Sequence, residues 1–362
     1  MRVLALSSYG GTGGSELTFA AFLEHRPKHV EARALLVSDG PLTEVLAGIG
    51  IETAAGTGYE GRPTAAALGR FARSLGGLLD RDRPDVVWAM GQKGALLAAG
   101  ACRAKGVPLV WHKVDFSWDR SLAKPVALAV DGVVAVSEAV AEALGPLRGK
   151  LLGVVWPPVT LDPQLRASPD PEAPAIGTLG RLVPYKGHHL IVRAAALLAD
   201  EFPSLRVVLA GDPAPQYPGY RGSLLELAAD SGIGERVEVP GFLPAPEVLG
   251  RLNVFVNATY RDEEGFGLEG LSGAMLEASW AGIPVVATRG GGTAEGLVDG
   301  ETGTLIDTAS PEALAGAIGP YLRDPDLAAR AGAAGRDFAH ARFAPNVASK
   351  RLFDLLAKVT PR

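Results

Sequence analysis

The chain has 362 residues, 47% of them hydrophobic and 21% charged, a globular composition whose length suits two domains rather than one core. Its net charge of −5 argues against a nucleic-acid binder, and positions 1–165, the less acidic half, carry no polybasic signal for anionic lipid. Cys102 is the single cysteine, which excludes a disulfide framework and a zinc site.

In chain order, Arg2–Ser7 reads as a buried strand, and Met1–Ser8 is too short an apolar core for a signal peptide. A glycine-rich turn follows, Tyr9-Gly10-Gly11-Thr12-Gly13-Gly14, and a helix begins near Ser15. Glycines between a strand and a helix let backbone approach a ligand closely. Gly11 and Gly13 fit a dinucleotide fingerprint, but Glu16 stands where its third glycine belongs, so the match fails. A tight turn with no ligand remains the alternative. Ala32–Ser38 is a strand and Leu42–Gly48 a short helix. Thr64–Asp80 carries Leu68, Phe71, Leu75 and Leu78 at the spacing of an amphipathic helix. Strands at Arg83–Trp88, Val107–His112, Gly132–Ser137 and Leu152–Trp156 alternate with helices at Leu96–Ala104 and Glu138–Leu144, the latter capped by Ser137. Such alternation predicts a parallel, doubly wound sheet. No run is long enough to span a membrane; even Val126–Val136 is broken by Asp131.

Trp156–Pro174 holds six prolines and reads as an interdomain linker. A second alternating series then begins, with strands at Ala175–Leu179, Leu205–Ala210, Val237–Pro240 and Val254–Asn257, and helices at His188–Leu198 and Leu224–Asp230. Pro311–Leu322, Leu327–Ala341 and Asn346–Lys358 close the chain as helices.

The stretch Glu263–Asp307 is the centre of this second series. An acidic, glycine-rich loop runs into a helix at about Leu271–Ala281, then the buried strand Ile283–Ala287, the turn Gly290-Gly291-Gly292 and Glu295. Glu269 and Glu277 are eight positions apart, which puts Glu269 at the mouth of the helix and Glu277 about two turns in. A helix opening at Gly270-Leu271-Ser272 offers free N–H groups to an anion. Carboxylates beside an anion site suit a ligand that also carries hydroxyls, as a nucleotide sugar does. An ordinary buried strand with a glycine turn is the plainer reading of the same stretch.

Taken in order, the glycine turn after the first strand, Gly180-Arg181-x3-Lys186-Gly187, Gly211-Asp212, Glu269-x7-Glu277 with LEAS-x-AG-x-PVVAT, and Gly291-Gly292-x2-Glu295 resemble family 4 of the retaining glycosyltransferases, the group 1 type. The resemblance spans nearly the whole chain and is more specific in the second series. It implies the GT-B fold: two Rossmann-like, doubly wound α/β domains facing each other across a cleft. The expected division is an acceptor-side domain at 1–160, a linker at 161–174 and a nucleotide-sugar domain at 175–345, with the C-terminal helix at 346–362 packed back onto the first domain.

The resemblance also implies roles. Arg181 and Lys186 contact the diphosphate, Glu277 holds the ribose hydroxyls, and Glu269 lies by the donor sugar, with Gly270 and Leu271 at the helix opening. Gly13, Gly14 and Glu295 are weaker donor-binding candidates. Cleaving a sugar–phosphate bond leaves charge on the departing diphosphate, and a planar guanidinium and a mobile ammonium are suited to receive it. Spacing selects Glu269 over Glu264, although Glu264-Gly-Phe-Gly is the form in which the motif commonly begins; Glu263 and Glu264 become supporting loop residues.

In the first series, His112 and Asp115 lie at a strand end and are acceptor-side candidates, His112 also as a catalytic one. A His packed beside Trp111 is the alternative. Asp80/Asp82 and Asp324/Asp326 fall at helix ends and are not read as metal ligands; no metal or other cofactor is expected. The implied activity is transfer of a sugar from a nucleotide diphosphate to an acceptor hydroxyl with retention, the departing phosphate helping to deprotonate the acceptor. The partners are a nucleotide-sugar donor and an acceptor sugar, lipid-linked glycan or small molecule. A cytoplasmic location is expected, with peripheral contact at the membrane's cytoplasmic face left open. A nucleotide-sugar epimerase of the same fold, an NAD(P)-dependent oxidoreductase and a non-catalytic sugar-nucleotide binder are the other readings.

Overall fold

The computed structural model describes residues 1–54, 65–117, 123–170, 172–262 and 267–360. They divide into two units, Met1–Thr160 with Phe343–Arg362, and Leu161–Arg342.

The first unit holds seven parallel strands: β1 (Arg2–Ser7), β2 (Glu31–Leu36), β3 (Thr53–Ala54), β4 (Val86–Met90), β5 (Leu109–Lys113), β6 (Gly132–Ala135) and β7 (Leu151–Val154), in the order β3-β2-β1-β4-β5-β6-β7. Strands buried on both faces explain the near-continuous apolar runs. In β4, Val87 and Ala89 join one core layer while Val86, Trp88 and Met90 join the other. The first layer is covered by α3 (Ala65–Asp82) and α4 (Gln92–Lys105), whose Phe71, Leu75, Leu78, Ala95, Ala98 and Cys102 are buried there. The second is covered by α1 (Gly14–Glu24) and α2 (Leu42–Gly48). Burial pushes the Cys102 thiol up to about 12, so it packs as a small apolar group. Shorter helices α5 (Ala123–Ala129) and α6 (Glu138–Glu142) complete the series, α6 capped by the Ser137 hydroxyl, which accepts from Val140 N.

The second unit repeats the plan with β8 (Ala175–Leu179), β9 (Arg206–Ala210), β10 (Val237–Gly241), β11 (Val254–Asn257), β12 (Val285–Thr288) and β13 (Gly303–Ile306), in the order β10-β9-β8-β11-β12-β13. Its helices are α7 (His188–Leu198), α8 (Tyr220–Asp230), α9 (Ala245–Leu249), α10 (Gly273–Trp280), α11 (Pro311–Arg323) and α12 (Pro325–Arg342). Both sheets are Rossmann-like. In each, strand order reverses once, between β1 and β4 and between β8 and β11, and such a switch point leaves a crevice at the carboxyl ends of the strands.

The last helix, α13 (Pro345–Leu356), belongs to the first unit. Ala348, Leu352, Phe353 and Leu356 are buried in the same layer as Phe19, Phe22 and Trp88, and Arg351 Nε donates to Val154 O at 2.5 Å. No helix among the described residues is long and apolar enough to cross a membrane.

The proline-rich stretch is not a free tether. Its residues from Leu161 lie in the second unit, where Trp280 Nε1 donates to Asp162 O at 3.2 Å and Ala167 N to Ala281 O at 3.1 Å. Arg336 gathers the carbonyls of Pro163, Leu165 and Trp280. Prolines lack an N–H, so carbonyls are left for a side chain of another element to satisfy.

Two expectations need adjustment. The edge strands β3 and β13 were not anticipated, because two and four residues are too short for a period to declare itself. The helix of the central stretch begins at Gly273, not Leu271, so Glu269 precedes it by four positions and a helical phase with Glu277 does not apply. Glu263 and Glu264 lie outside the described residues.

Candidate active site

The second unit gathers its functional candidates at the carboxyl ends of β8, β11 and β12, beside the switch point. Gly180 leaves β8 at φ 140°, followed by the exposed Arg181, which has no hydrogen bond or ion pair among the described residues. Leu182 and Val183 then turn into the core, and a single 3₁₀ turn, Pro184–Lys186, lifts Lys186 back out. Gly187 stops that turn and caps α7 in the left-handed region at φ 73°. A Cβ there would stand 2.2 Å from Ala258 O, so only glycine lets this loop lie against the end of β11. The loops after β8 and β11 are stitched together where Tyr260 N donates to Tyr185 O at 2.9 Å.

Lys186 Nζ reaches across to Glu269 Oε1 in an ion pair whose side chains are only 22% and 19% exposed. Glu269 is held from two further directions. Thr259 Oγ1 lies 3.1 Å from Glu269 Oε2, and Gly292 N donates to Glu269 O at 3.0 Å, tying the triple-glycine turn after β12 to the loop before α10. Gly270 and Leu271 are buried as this loop enters α10. The N-cap of α10 is Ser272, in extended backbone and with no side-chain hydrogen bond, so the first-turn N–H groups of the helix are not capped by a side chain.

One turn into α10, Glu277 is half-buried and its carboxylate has no hydrogen bond or ion pair among the described residues. Burial pushes its carboxyl up to about 7 from an ordinary 4.5, because a buried carboxylate without a donor is costly. A ligand hydroxyl would supply that donor. Glu295 closes a 3₁₀ turn, Thr293–Glu295, directly after the triple glycine.

Chemically, the arrangement offers two cations, an uncapped helix start and two carboxylates at one switch point. That suits a phosphate flanked by hydroxyls. Reading by residue types alone missed Asn257 and Thr259, which support Glu269 from the end of β11. Only their side-by-side position across a loop brings them to it, and no sequence spacing signals that.

In the first unit, Gly13 is the N-cap of α1 and Gly14 its first residue, both exposed at the carboxyl end of β1. His112 is a correction. Its ring is fully buried between Trp88 and Phe22, at 5.9 and 5.7 Å between centroids, and neither ring nitrogen has a hydrogen-bond partner among the described residues. Burial lowers it to about 3, so it stays neutral and packs as an aromatic. Its neighbours are on the sheet face opposite Trp111, since successive strand residues alternate. Asp115 accepts from Ser117 N and Oγ, both at 2.9 Å, which organises its own turn. Asp80 and Asp82 are engaged with Lys105 and with Arg33 and Arg81, and Asp324 caps α12 by accepting from Leu327 N.

With this geometry in hand, comparison with known proteins is informative. A model of the family described as "Glycosyl transferases group 1" matches residues 165–338, which include every donor-site candidate of the second unit. A GDP-mannose-dependent alpha-(1-6)-phosphatidylinositol monomannoside mannosyltransferase of Mycolicibacterium smegmatis is 34% identical over 208 residues, 53% of each chain. The protein of the same description from Mycobacterium tuberculosis (strain CDC 1551 / Oshkosh) is 28% identical over 298 residues, 75% of each. The match thus spans about half the length of the first of these relatives and three quarters of the second. Among solved structures, Anabaena HepE in complex with UDP-glucose superposes with a TM-score of 0.82 at 22% identity, over 99% of this chain and 100% of that one. Sucrose-phosphate synthase from Thermosynechococcus elongatus gives 0.78 at 18% identity, over 99% of both. At such identities the structures speak for the fold alone, and that fold is GT-B. The ordered motifs, the two Rossmann-like sheets and the family match agree: residues 165–338 carry a group 1 (family 4) glycosyl transferase domain, within a chain of GT-B fold.

Proposed function

We propose that this protein transfers a hexose from a nucleotide diphosphate sugar to an acceptor hydroxyl, with retention at the anomeric carbon. The observation that carries this reading is the Lys186–Glu269 ion pair at the β8/β11 switch point, with the unpartnered Arg181 and Glu277 on the elements beside it. Arg181 and Lys186 take the diphosphate and stabilise the charge that develops as the sugar departs. The start of α10 adds backbone N–H groups, and Glu277 accepts from the ribose hydroxyls. Glu269 binds a hydroxyl of the donor sugar. With these cations in place the reaction proceeds without a divalent metal, and the departing phosphate assists removal of the acceptor proton. The first unit receives the acceptor, and Gly13 and Gly14 at the end of β1 are kept as candidates for backbone contact with the donor.

The mycobacterial relatives are described as GDP-mannose-dependent and HepE as a complex with UDP-glucose, so GDP-mannose is the first donor to try and UDP-glucose the second. An acceptor of the phosphatidylinositol mannoside kind follows from the same relatives. Isothermal titration with GDP and UDP, with and without EDTA, tests the site. One nucleotide should bind, EDTA should leave the affinity unchanged, and Arg181→Ala and Glu277→Ala should each weaken it. Binding of neither nucleotide, or binding abolished by EDTA, overturns the reading.

A further inference from the structure

Among the described residues two side chains hold the Glu269 carboxylate, and they are not equivalent. Lys186 occupies Oε1 and Thr259 lies 3.1 Å from Oε2. Lys186 is also a cation assigned above to the diphosphate. A diphosphate carries more charge than one carboxylate, so its arrival draws the ammonium away from Glu269. From that moment, among the described residues, the Thr259 hydroxyl is the side-chain group left to aim Glu269.

Thr259 is built for this. It is 7% exposed, and Asn257 behind it is 4% exposed, both at the end of β11, a central strand of the sheet. The hydroxyl oxygen lies 2.8 Å from the Asn257 side-chain amide and 3.1 Å from the carboxylate, yet it has only one proton to give. The bond to a carboxylate is charge-assisted and the stronger of the two. The Asn257 atom beside the hydroxyl is Oδ1, an acceptor, and its Nδ2 faces Met275 Sδ at 4.0 Å, so Glu269 and Asn257 share one hydroxyl proton and the carboxylate is the stronger claimant.

We propose that Thr259 is a positioning residue, which keeps the Glu269 carboxylate aimed at the donor sugar once Lys186 is drawn onto the diphosphate. The proposal rests on the donor-site reading above. It separates two tasks within one ion-paired cluster: Lys186 and Arg181 bind the nucleotide, and Thr259 acts through Glu269 on the sugar.

The test compares Thr259→Val, which keeps the shape and removes the hydroxyl, with Thr259→Ser, which restores it. Affinity for GDP and UDP is read by calorimetry, and turnover by release of nucleotide diphosphate from GDP-mannose and UDP-glucose. Thr259→Val should hold nucleotide affinity and KM within about twofold while lowering kcat by about tenfold or more, the effect of losing one hydrogen bond to a charged group. Thr259→Ser should recover most of that loss. If Thr259→Val does not fold, as judged by its thermal unfolding, Thr259→Ala takes its place. A folded Thr259→Val with wild-type kcat overturns the proposal, as does equal loss in Thr259→Ser, or a loss matched by weaker nucleotide binding. If the wild type acts on neither donor, or Arg181→Ala leaves nucleotide binding unchanged, the donor-site reading itself fails.

Discussion

Gly292 donates its backbone N–H to the carbonyl of Glu269 at 3.0 Å, which ties the turn after β12 to the loop before α10. The same Glu269 carries the ion pair with Lys186 from the loop after β8. Three loops of one sheet edge therefore converge on a single residue, and the consequences can be measured.

Arg181→Ala should cost little in stability, within about 0.5 kcal/mol, because the side chain is exposed and has no partner among the described residues. Its effect should fall on chemistry. A lost charge at the departing diphosphate predicts a fall in kcat of about a hundredfold, checked by steady-state kinetics beside a denaturation curve. Arg181→Lys should recover only part, since an ammonium lacks the planar fork.

In the proposed role, Glu277 should make nucleotide binding depend on pH. Its carboxyl, raised to about 7, is protonated below that value and loses an acceptor for ribose hydroxyls. Affinity for the bound nucleotide should therefore rise from pH 6 to pH 8 in the wild type and stay flat in Glu277→Gln.

The same group acts oppositely on stability. Between its ordinary value of 4.5 and about 7, the folded chain keeps a proton that the unfolded chain has released. Stability from this group is thus present below 4.5 and lost as pH rises toward 7. Denaturant titrations across that window should show a steeper decline for wild type than for Glu277→Gln.

Gly187→Ala should destabilise the second unit by roughly 1–3 kcal/mol, since φ is 73° and the new Cβ would meet Ala258 O. Because the turn carrying Lys186 ends there, nucleotide affinity should fall with it. A variant with normal stability and affinity would remove the close approach from the account.

Arg336→Ala should separate structure from binding. It strips donors from the carbonyls of Pro163, Leu165 and Trp280, which predicts a loss of about 2 kcal/mol and faster proteolysis within 161–170. Nucleotide affinity should be unchanged, because none of these groups belongs to the donor site.

Alternating apolar runs and glycine turns make the α/β plan legible along the chain, because a parallel strand buried on both faces needs an unbroken apolar stretch such as Val86-Val87-Trp88. Arg181, Lys186 and Glu269 are legible as well, being charged residues in glycine-bounded loops between apolar elements, and Glu277 is a lone carboxylate on the largely apolar helix α10. His112 shows the limit of such reading. A strand-end histidine looks the same in sequence whether its ring meets solvent or, as here, Phe22 and Trp88.

What the sequence determined by itself is therefore local: the order of strands and helices, the loops that carry charge, and the kind of ligand those loops suit. What only the tertiary structure decided is adjacency. It set the order β10-β9-β8-β11-β12-β13, which brings the loops after β8, β11 and β12 together. It also set the pairing of Lys186 with Glu269 across 83 positions, the support of Glu269 by Thr259 and the holding of the proline-rich stretch by Arg336. Hydrogen bonds and ion pairs act over a few ångströms of space and carry no period along the chain, so they become readable only once the sheet has fixed which strand ends are neighbours.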